Sequence, residues 1–268
     1  RLSEVRDKPD EEDPTRELLR EIPEGKEIRL QNLNFKYDPL SEYPTLDDIN
    51  LVIPPGMQTA IVGMSGSGKT TLVKLLLGFY PPASGDIFIG DTPLGSYSIR
   101  EWRKRCGVVM QDGFIFSDSI AGNIAPGVEH IDKKRLRHAA EVANIHDFIE
   151  ELPLAYNTKI GQEGHGLSQG QKQRILIARA VYKDPEFIFF DEATNALDAN
   201  NERTIMNNLQ TFFKGRTSVV VAHRLSTVRN AEQIIVIEQG RIAETGTHEA
   251  LIALEGRYYK LVKNQLEL

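Results

Sequence analysis

The sequence has almost no cysteine: Cys106 is the single one in 268 residues. One thiol cannot build a disulfide framework within the chain, and it makes a cysteine-based metal site implausible. The composition therefore suits a reducing compartment. We interpret Cys106 as a small residue that fills space in the core.

The sequence also lacks an excess of basic residues and a membrane-spanning run. Its formal net charge is −6, and no long basic stripe is present, which argues against nucleic acid as a main partner. The longest uncharged run covers residues 49–68. Pro54, Pro55 and Gly56 interrupt it and a glycine-rich loop ends it, so we do not expect it to cross a bilayer.

The first 26 residues are dense in charge and carry too few large apolar residues to build a core. We predict a linker here, with a short helix at residues 15–21 that Thr15 would cap. The chain starts at Arg1 without a signal-peptide pattern, so we expect a fragment of a longer protein. Residues 27–268 are long enough for one large α/β domain with a smaller insert.

Two kinds of apolar pattern follow the linker. Alternation from Ile28 to Tyr37, with a slip at Asn32, predicts a strand with a bulge, and residues 49–53 predict a second alternating strand. Residues 113–180 have mostly helical patterns. Short apolar runs without alternation are typical of buried parallel strands; they lie at 57–62, 187–190, 218–222 and 233–237. The sequence predicts an α/β fold with a mostly parallel sheet, an N-terminal antiparallel β subdomain and an inserted α-helical subdomain.

A glycine-rich loop joins the strand at 57–62 to a predicted helix at 69–79. Its sequence is Gly63-Met64-Ser65-Gly66-Ser67-Gly68-Lys69-Thr70. The glycines let backbone N–H groups wrap phosphates, and the helix directs its positive dipole end at them. Lys69 would reach the β- and γ-phosphates and the Thr70 hydroxyl would ligate Mg²⁺. A flexible glycine turn is the alternative, but the flanking elements favour a P-loop nucleoside triphosphatase core that binds ATP and Mg²⁺.

Two carboxylates, Asp191 and Glu192, end the apolar strand at 187–190. Asp191 would hold Mg²⁺ through water, and Glu192 could polarise an attacking water molecule. A solvated pair that caps the next helix is the alternative reading. The phosphate loop in the same chain favours the catalytic reading.

The remaining motifs resemble those of ATP-binding cassette (ABC) proteins, and in the family's order the elements cover the chain from about residue 27 to its end. Besides the loop and the acidic strand, they are the signature Leu167-Ser168-Gln169-Gly170-Gln171, the D-loop Asn195-Ala196-Leu197-Asp198, the Q-loop glutamine Gln111, the switch histidine His223 and the adenine-stacking aromatic Tyr37.

The resemblance implies a mechanism and a set of site residues. Two cassettes would dimerise head to tail and bury ATP between one phosphate loop and the opposite signature, with Glu192 as base and His223 on the γ-phosphate. Gln111 would sense Mg²⁺ and water. The implied ATP-binding residues are Tyr37, Gly63, Ser65, Gly66, Ser67, Gly68, Lys69, Thr70, Thr71 and Gln111; Ser168, Gln169, Gly170 and Gln171 act in trans, Asp198 lies in the D-loop, and Thr70, Gln111 and Asp191 are the metal residues.

The segment from Gly113 to Ile124 resembles exporter cassettes, in which this region meets the membrane domain. The implied partners are a transmembrane domain of the same polypeptide or complex, placed before residues 1–26, and a second nucleotide-binding domain. The implied location is the cytoplasmic face of a bacterial inner membrane. The likeness is to bacteriocin and lantibiotic exporters, which implies a peptide substrate. Two departures are Gln169, where glycine is common, and residues 160–164, where exporters often carry more charge.

Two other functions remain open from the sequence. A non-transport mechanical ATPase of the same superfamily usually has coiled-coil inserts or tandem cassettes, and this chain has no sustained heptads. A module that binds ATP without turnover would lack the base, and Glu192 is present.

Overall fold

The computed structural model describes residues 10–13, 15–161, 164, 166–194, 196–222 and 225–266. Within these residues, no helix combines the length and apolar character needed to cross a bilayer. Twelve strands of this part of the chain form three sheets, and ten α-helices accompany them.

The N-terminal sheet has four strands in the order β2-β1-β4-β5 and is antiparallel throughout. Its strands are β1 (Ile28–Phe35), β2 (Leu46–Ile53), β4 (Ser84–Ile89) and β5 (Thr92–Pro93). The register of β1 slips between Leu30 and Leu33, and Asn32 takes a φ of 46° there. The predicted bulge and the antiparallel subdomain are thus confirmed, because the slipped alternation returns both apolar sets to one buried face.

The central sheet has six strands in the order β12-β11-β3-β10-β9-β6. All neighbours are parallel except β12, which pairs antiparallel with β11. The strands are β3 (Gln58–Val62), β6 (Cys106–Val109), β9 (Phe187–Asp191), β10 (Thr217–Val221), β11 (Gln233–Glu238) and β12 (Arg241–Gly246). The mostly parallel sheet is confirmed. β9 and β10 are buried along their whole length, which is why their sequences lack polar alternation.

The helices mostly follow the sequence pattern, with shifted ends. They are α1 (Lys69–Leu76), α2 (Ile99–Arg105), α3 (Ile120–Ile124), α4 (Lys133–Val142), α5 (His146–Glu150), α6 (Gln169–Lys183), α7 (Ala199–Phe213), α8 (Leu225–Val228), α9 (His248–Ala253) and α10 (Arg257–Leu266). The helix predicted at 69–79 ends at Leu76, and Gly78 follows with a φ of 65°. Helices α3 to α6 form the predicted helical part, together with a short antiparallel pair, β7 (Asp118–Ser119) and β8 (Lys159–Ile160), which the sequence did not indicate.

The prediction of a helix at residues 15–21 is wrong. The Thr15 hydroxyl and N–H bond back to the Asp13 carboxylate, and Leu19 forms a parallel bridge with Tyr97. The Leu19 N–H donates to the Ser96 carbonyl at 2.9 Å. Tertiary hydrogen bonds therefore replace the helical ones that a seven-residue segment could barely sustain.

The described part of the predicted linker packs on the domain. Ile22 is 4% exposed and belongs to the core under the antiparallel sheet. The Glu11 carboxylate forms an ion pair with Arg103 at 2.6 Å, and the same guanidinium donates to the Leu77 and Gly78 carbonyls at the end of α1. The domain boundary at residue 26 stays a prediction.

Two apolar cores cover the two faces of the central sheet. One lies between this sheet, α1 and the antiparallel sheet, and includes Trp102 and Cys106; the other lies beneath the helical part. Cys106 is buried, and burial raises the pKa of its thiol. Its interpretation as a core residue is confirmed. With both faces covered, the sheet exposes only its edges and its strand ends to a ligand.

Candidate functional site

The parallel register brings the predicted motifs to one edge of the central sheet. Val221 at the end of β10 pairs with Ile61 on one side and Asp191 on the other. Val109 at the end of β6 pairs with Phe190. The loops that follow β3, β9, β10 and β6 therefore leave the sheet at the same level, as ligand-binding loops of open α/β sheets do.

The phosphate loop adopts backbone conformations that favour glycine. Gly63, Gly66 and Gly68 have φ values of 152°, 76° and 107°. A Cβ on Gly63 would lie 2.2 Å from the Ile237 carbonyl oxygen and 2.8 Å from the Ser67 hydroxyl. Residues 64–66 are exposed, whereas Ser67 is buried. The loop is therefore held from behind by β11 and presents its tip outward.

Lys69 begins helix α1 and folds over its own loop. Its ammonium group donates to the Gly63 and Met64 carbonyls, each at 2.9 Å. Burial lowers the pKa of the Lys69 amine, and the charges of Glu192 and Asp191 partly oppose that shift. Gly68, the N-cap, supplies no side-chain cap to the first turn of the helix. A cation and free helix N–H groups thus meet in one place, which is the arrangement that binds phosphate.

Asp191 lies at the end of β9 and is fully buried. Neither of its carboxylate oxygens has a hydrogen-bond partner among the described residues. Burial raises the pKa of this carboxyl, and the interaction with the nearby Thr70 side chain partly offsets the rise. A buried carboxylate without partners is costly unless a cation neutralises it. Its oxygens, the Thr70 hydroxyl and the neighbouring Lys69 fit Mg²⁺ with bound phosphates.

Glu192 follows Asp191 with a φ of 52°, a region that non-glycine residues rarely occupy. Its N–H donates to the Val221 carbonyl at 3.2 Å, and its own carbonyl accepts from the Gln173 side chain at 3.1 Å. Such backbone strain persists only where the surroundings fix it, and it is concentrated at functional sites. Glu192 is partly exposed, whereas Asp191 before it is fully buried.

Tyr37 lies against the start of α1. Its hydroxyl is 3.2 Å from the Thr71 hydroxyl, and its ring makes edge contacts with Phe35 and Tyr80. The ring is half exposed. The structure therefore brings this half-exposed aromatic next to the phosphate-loop helix.

The signature residues form the N-terminus of α6. Ser168 is the N-cap, and it exchanges hydrogen bonds with Gln171 in a capping box. A Cβ on Gly170 would lie 3.2 Å from the Ala196 carbonyl oxygen. No hydrogen bond within the described ranges joins residues 168–171 to the phosphate loop of the same chain.

The other predicted site residues have mixed outcomes. Gln111 is exposed and lies two residues beyond β6, at the same edge as Asp191. Asp198 caps α7, and its hydrogen bonds with Asn201 lower the pKa of its carboxyl. His223, Asn195 and residues 162, 163 and 165 lie outside the described residues. No cluster of three or more His, Cys, Asp or Glu side chains that could hold a metal occurs in the described part of the chain.

Three supporting residues were missed by the sequence reasoning. Gly240 donates its N–H to the Ser67 carbonyl at 3.1 Å and so braces the phosphate loop. Arg179 donates to the Phe114 and Asn123 carbonyls and holds the segment that follows Gln111. Gln173 contacts the loop after Asp191. Polar residues within the mostly apolar helical run at 173–182 were the available signal for the last two.

Known proteins share sequence and fold with this chain. The family profile described as "ABC transporter" matches residues 46–195, which is more than half of the chain. An "ATP-dependent lipid A-core flippase" of Saccharophagus degradans is 45% identical over 91% of this chain and 41% of its own length. The "Exotoxin translocation ATP-binding protein PaxB" of Pasteurella aerogenes is 44% identical over 100% of this chain and 37% of its own.

A solved structure described as "a bacterial Atm1-family ABC exporter with ATP bound" superposes with a TM-score of 0.88 at 36% identity. The superposed region covers 95% of this chain and 44% of the chain of the solved structure. The fold and the site together define a P-loop nucleotide-binding domain. The chain belongs to the ABC transporter family, and it corresponds to the ATP-binding ATPase domain of the family's exporters. It spans about two fifths of the two bacterial relatives described above.

Gly63 gives a direct test of the loop geometry. We expect Gly63→Ala to lower the free energy of unfolding by on the order of 2 kcal/mol and to weaken ATP binding, because the added Cβ meets the Ile237 carbonyl. Urea unfolding without nucleotide measures the first effect. Gly127→Ala is the matched control, since its φ of 72° is also positive but no described atom lies within 4 Å of the added Cβ. An equal loss of unfolding free energy in both variants would show that the clash with the Ile237 carbonyl is not the cause.

Proposed function

We propose that this domain binds Mg²⁺–ATP at the loop Gly63–Thr70 and hydrolyses it to power a membrane exporter. Glu192 would activate the attacking water, and His223, which lies outside the described residues, would contact the γ-phosphate. Tyr37 would stack on the adenine ring. Thr70, Asp191 and Gln111 would hold Mg²⁺, which supplies positive charge against the phosphates.

The observation that carries this proposal is the buried Asp191 carboxylate. It lacks a protein partner in the described structure, yet it lies beside Thr70 and within the electrostatic reach of Lys69. A carboxylate kept in this state without a cation would only destabilise the fold. A resident metal with a triphosphate explains why the site retains it.

We further propose that the site is completed by a second copy of the domain. The signature N-terminus at Ser168 has the free helix N–H groups that bind an anion, yet it shares no hydrogen bond with the phosphate loop of its own chain within the described residues. In a head-to-tail dimer, Ser168–Gln171 of one protomer would face the ATP held by the other. Most of the dimer affinity would then come through ATP.

The partner in the membrane and the exported substrate are also proposals. A transmembrane domain of the same polypeptide or complex would contact the segment that Arg179 holds after Gln111. The domain would then lie at the cytoplasmic face of a membrane, in a bacterium the inner one. The relatives' names refer to lipid A-core, to an exotoxin and to heavy-metal tolerance. They give no support to the peptide substrate implied by the sequence resemblance. Two lipid A-core flippases, at 45% and 44% identity, make a lipid the better-supported proposal.

Mixing two inactive variants tests the two-copy site. Lys69→Ala removes the phosphate-loop cation, and Gln169→Glu puts a negative charge at an exposed position of the signature. In a head-to-tail mixed dimer, one site combines both defects and the other has neither. We expect each variant alone to be inactive, and a 1:1 mixture with Mg²⁺–ATP to recover up to about a quarter of the wild-type rate, since half of random dimers are mixed and each has one intact site.

The controls of this experiment separate folding from assembly. Both variants should unfold at temperatures close to that of the wild type, and Gln169→Glu alone should still bind ATP. No recovery in the mixture, with each variant folded, would show that the signature serves the site of its own chain. The same measurement without Mg²⁺ should give no hydrolysis in any sample.

A non-transport mechanical ATPase and a binding module without turnover are the other functions considered. The structure has a single cassette core, and no described helix is longer than 15 residues, which does not suit the long coiled coils of mechanical members. The acidic pair Asp191 and Glu192 argues against a module without turnover.

A further inference from the structure

Gln173 lies in the second turn of α6, just after the signature, and is 6% exposed. Both ends of its side-chain amide are used. The NH₂ group donates to the Glu192 carbonyl at 3.1 Å, and the amide oxygen accepts from the Ala196 N–H at 3.1 Å. One buried side chain therefore ties the beginning and the end of the segment 192–196 to the signature helix.

The backbone at Glu192 depends on such contacts. Its φ of 52° is unfavourable for a residue with a Cβ, so the conformation must be imposed by neighbours. The Val221 carbonyl holds its N–H from β10, and Gln173 holds its carbonyl from α6. Removing the second contact takes away the hydrogen bond that α6 gives to the Glu192 carbonyl and allows the peptide to rotate, which changes the direction of the Glu192 side chain.

The same helix contacts the segment one turn earlier. Gly170 lies so close to the Ala196 carbonyl that a Cβ there would be 3.2 Å from it. Within the segment, the Leu197 N–H donates to the Thr194 carbonyl at 3.0 Å, and the Thr194 hydroxyl bonds to Glu202 of α7. Glu192, Thr194, Ala196 and Leu197 thus lie between the first two turns of α6 and the start of α7.

We propose that Gln173 is a positioning residue that orients Glu192 and links its orientation to the signature helix. The inference rests on the proposed function, in which Glu192 activates water and the start of α6 meets the ATP of the partner protomer. A displacement of α6 at the partner's nucleotide then reaches Glu192 of its own site through the Gln173 side chain. A glutamine suits this task because it has a donor and an acceptor at the end of a chain long enough to reach from α6.

Two variants of Gln173 test the inference. Gln173→Glu keeps the length and the acceptor for the Ala196 N–H but removes the donor to the Glu192 carbonyl, whereas Gln173→Leu removes both. We expect kcat to fall about tenfold in each, as for the loss of one buried hydrogen bond, while KM for ATP and the affinity for a fluorescent ATP analogue change by less than about twofold. A structural defect alone would instead weaken ATP binding and lower the unfolding temperature.

Gln210 in α7 provides the matched control. It is a partly buried glutamine on the other helix next to the segment, and no hydrogen bond is recorded for its side chain within the described residues. Gln210→Leu and Gln210→Glu should keep the wild-type kcat. If Gln173→Leu does not fold, Gln173→Asn replaces it, because the shorter amide cannot reach both partners and should give the same tenfold loss. A wild-type kcat in folded Gln173 variants would overturn the inference.

A double-mutant cycle separates this inference from the proposed function. In a Glu192→Gln background, adding Gln173→Leu should leave the residual rate within about twofold, because the group that Gln173 orients is already removed. A further tenfold loss there would show that Gln173 acts independently of the carboxylate, and the inference would fail. Wild-type turnover in Glu192→Gln alone would instead reject Glu192 as the base, whatever the Gln173 variants do.

Discussion

Glu192→Gln is expected to lower the rate of ATP hydrolysis by about 10²- to 10³-fold while ATP still binds. The amide has nearly the same size as the carboxylate but cannot accept the proton of the attacking water. Because ATP would persist between the two protomers, the variant should accumulate as a dimer when Mg²⁺–ATP is added. Single-turnover hydrolysis and size-exclusion chromatography with and without ATP measure the two effects.

Glu255→Gln is the matched control for that variant. Glu255 is exposed, lies outside the candidate site and has a φ of 51°, so the same chemical change is made in the same backbone region. It should hydrolyse ATP at the wild-type rate and should not accumulate as a dimer. Wild-type turnover in Glu192→Gln would remove Glu192 from its role, and a loss of ATP binding would show that the variant disturbs the fold.

Asp191→Asn is expected to abolish Mg²⁺-dependent hydrolysis and to remove the stabilisation that Mg²⁺–ATP gives to the fold. Binding a ligand to the folded state raises the unfolding temperature by mass action, and this gain requires the carboxylate at the metal. Without nucleotide and metal, the variant should unfold at the same or a higher temperature than the wild type, because a buried charge without a hydrogen-bond partner is replaced by a neutral amide.

The prediction is specific because Asp191→Asn should remove the stabilisation by Mg²⁺–ATP and yet leave the metal-free protein equally or more stable. Thermal unfolding with metal-chelating buffer, with Mg²⁺ alone and with Mg²⁺–ATP measures them in one series. Asp86→Asn, an exposed residue in β4, is the control and should keep the full stabilisation by Mg²⁺–ATP. A marked loss of stability in the metal-free Asp191→Asn protein would show that the carboxylate has a structural partner rather than a metal.

The sequence by itself determined the fold class and the positions of the motifs. Buried strands such as β9 and β10 are apolar throughout, and the bulge at Asn32 interrupts an otherwise regular alternation, so both are visible in the order of residues. The phosphate loop is equally local, because a glycine-rich turn between a strand and a helix determines its own backbone path. These features depend on neighbours within about ten residues along the chain.

Only the tertiary structure decided how distant segments meet. Residues 15–21 had a local helix signal, but hydrogen bonds to Ser96 and Ser98 give the backbone better partners. Helix α1 ends at Leu76 rather than at residue 79. The missing partner of Asp191 and the strained Glu192 depend on the parallel register of β9 with β10, which no single segment encodes.

Gln173 is the clearest case of a residue whose role only the tertiary structure decides. In the sequence it is one more polar residue near the start of a helix, two positions after the signature. Its role depends on the loop after β9, 19 and 23 residues further along the chain, whose carbonyl and N–H it binds in a buried place. Local patterns determine which elements form, because propensity and periodicity act over short ranges. The hydrogen bonds that orient a reacting group join different elements, so only the packing of those elements decides which of these bonds form.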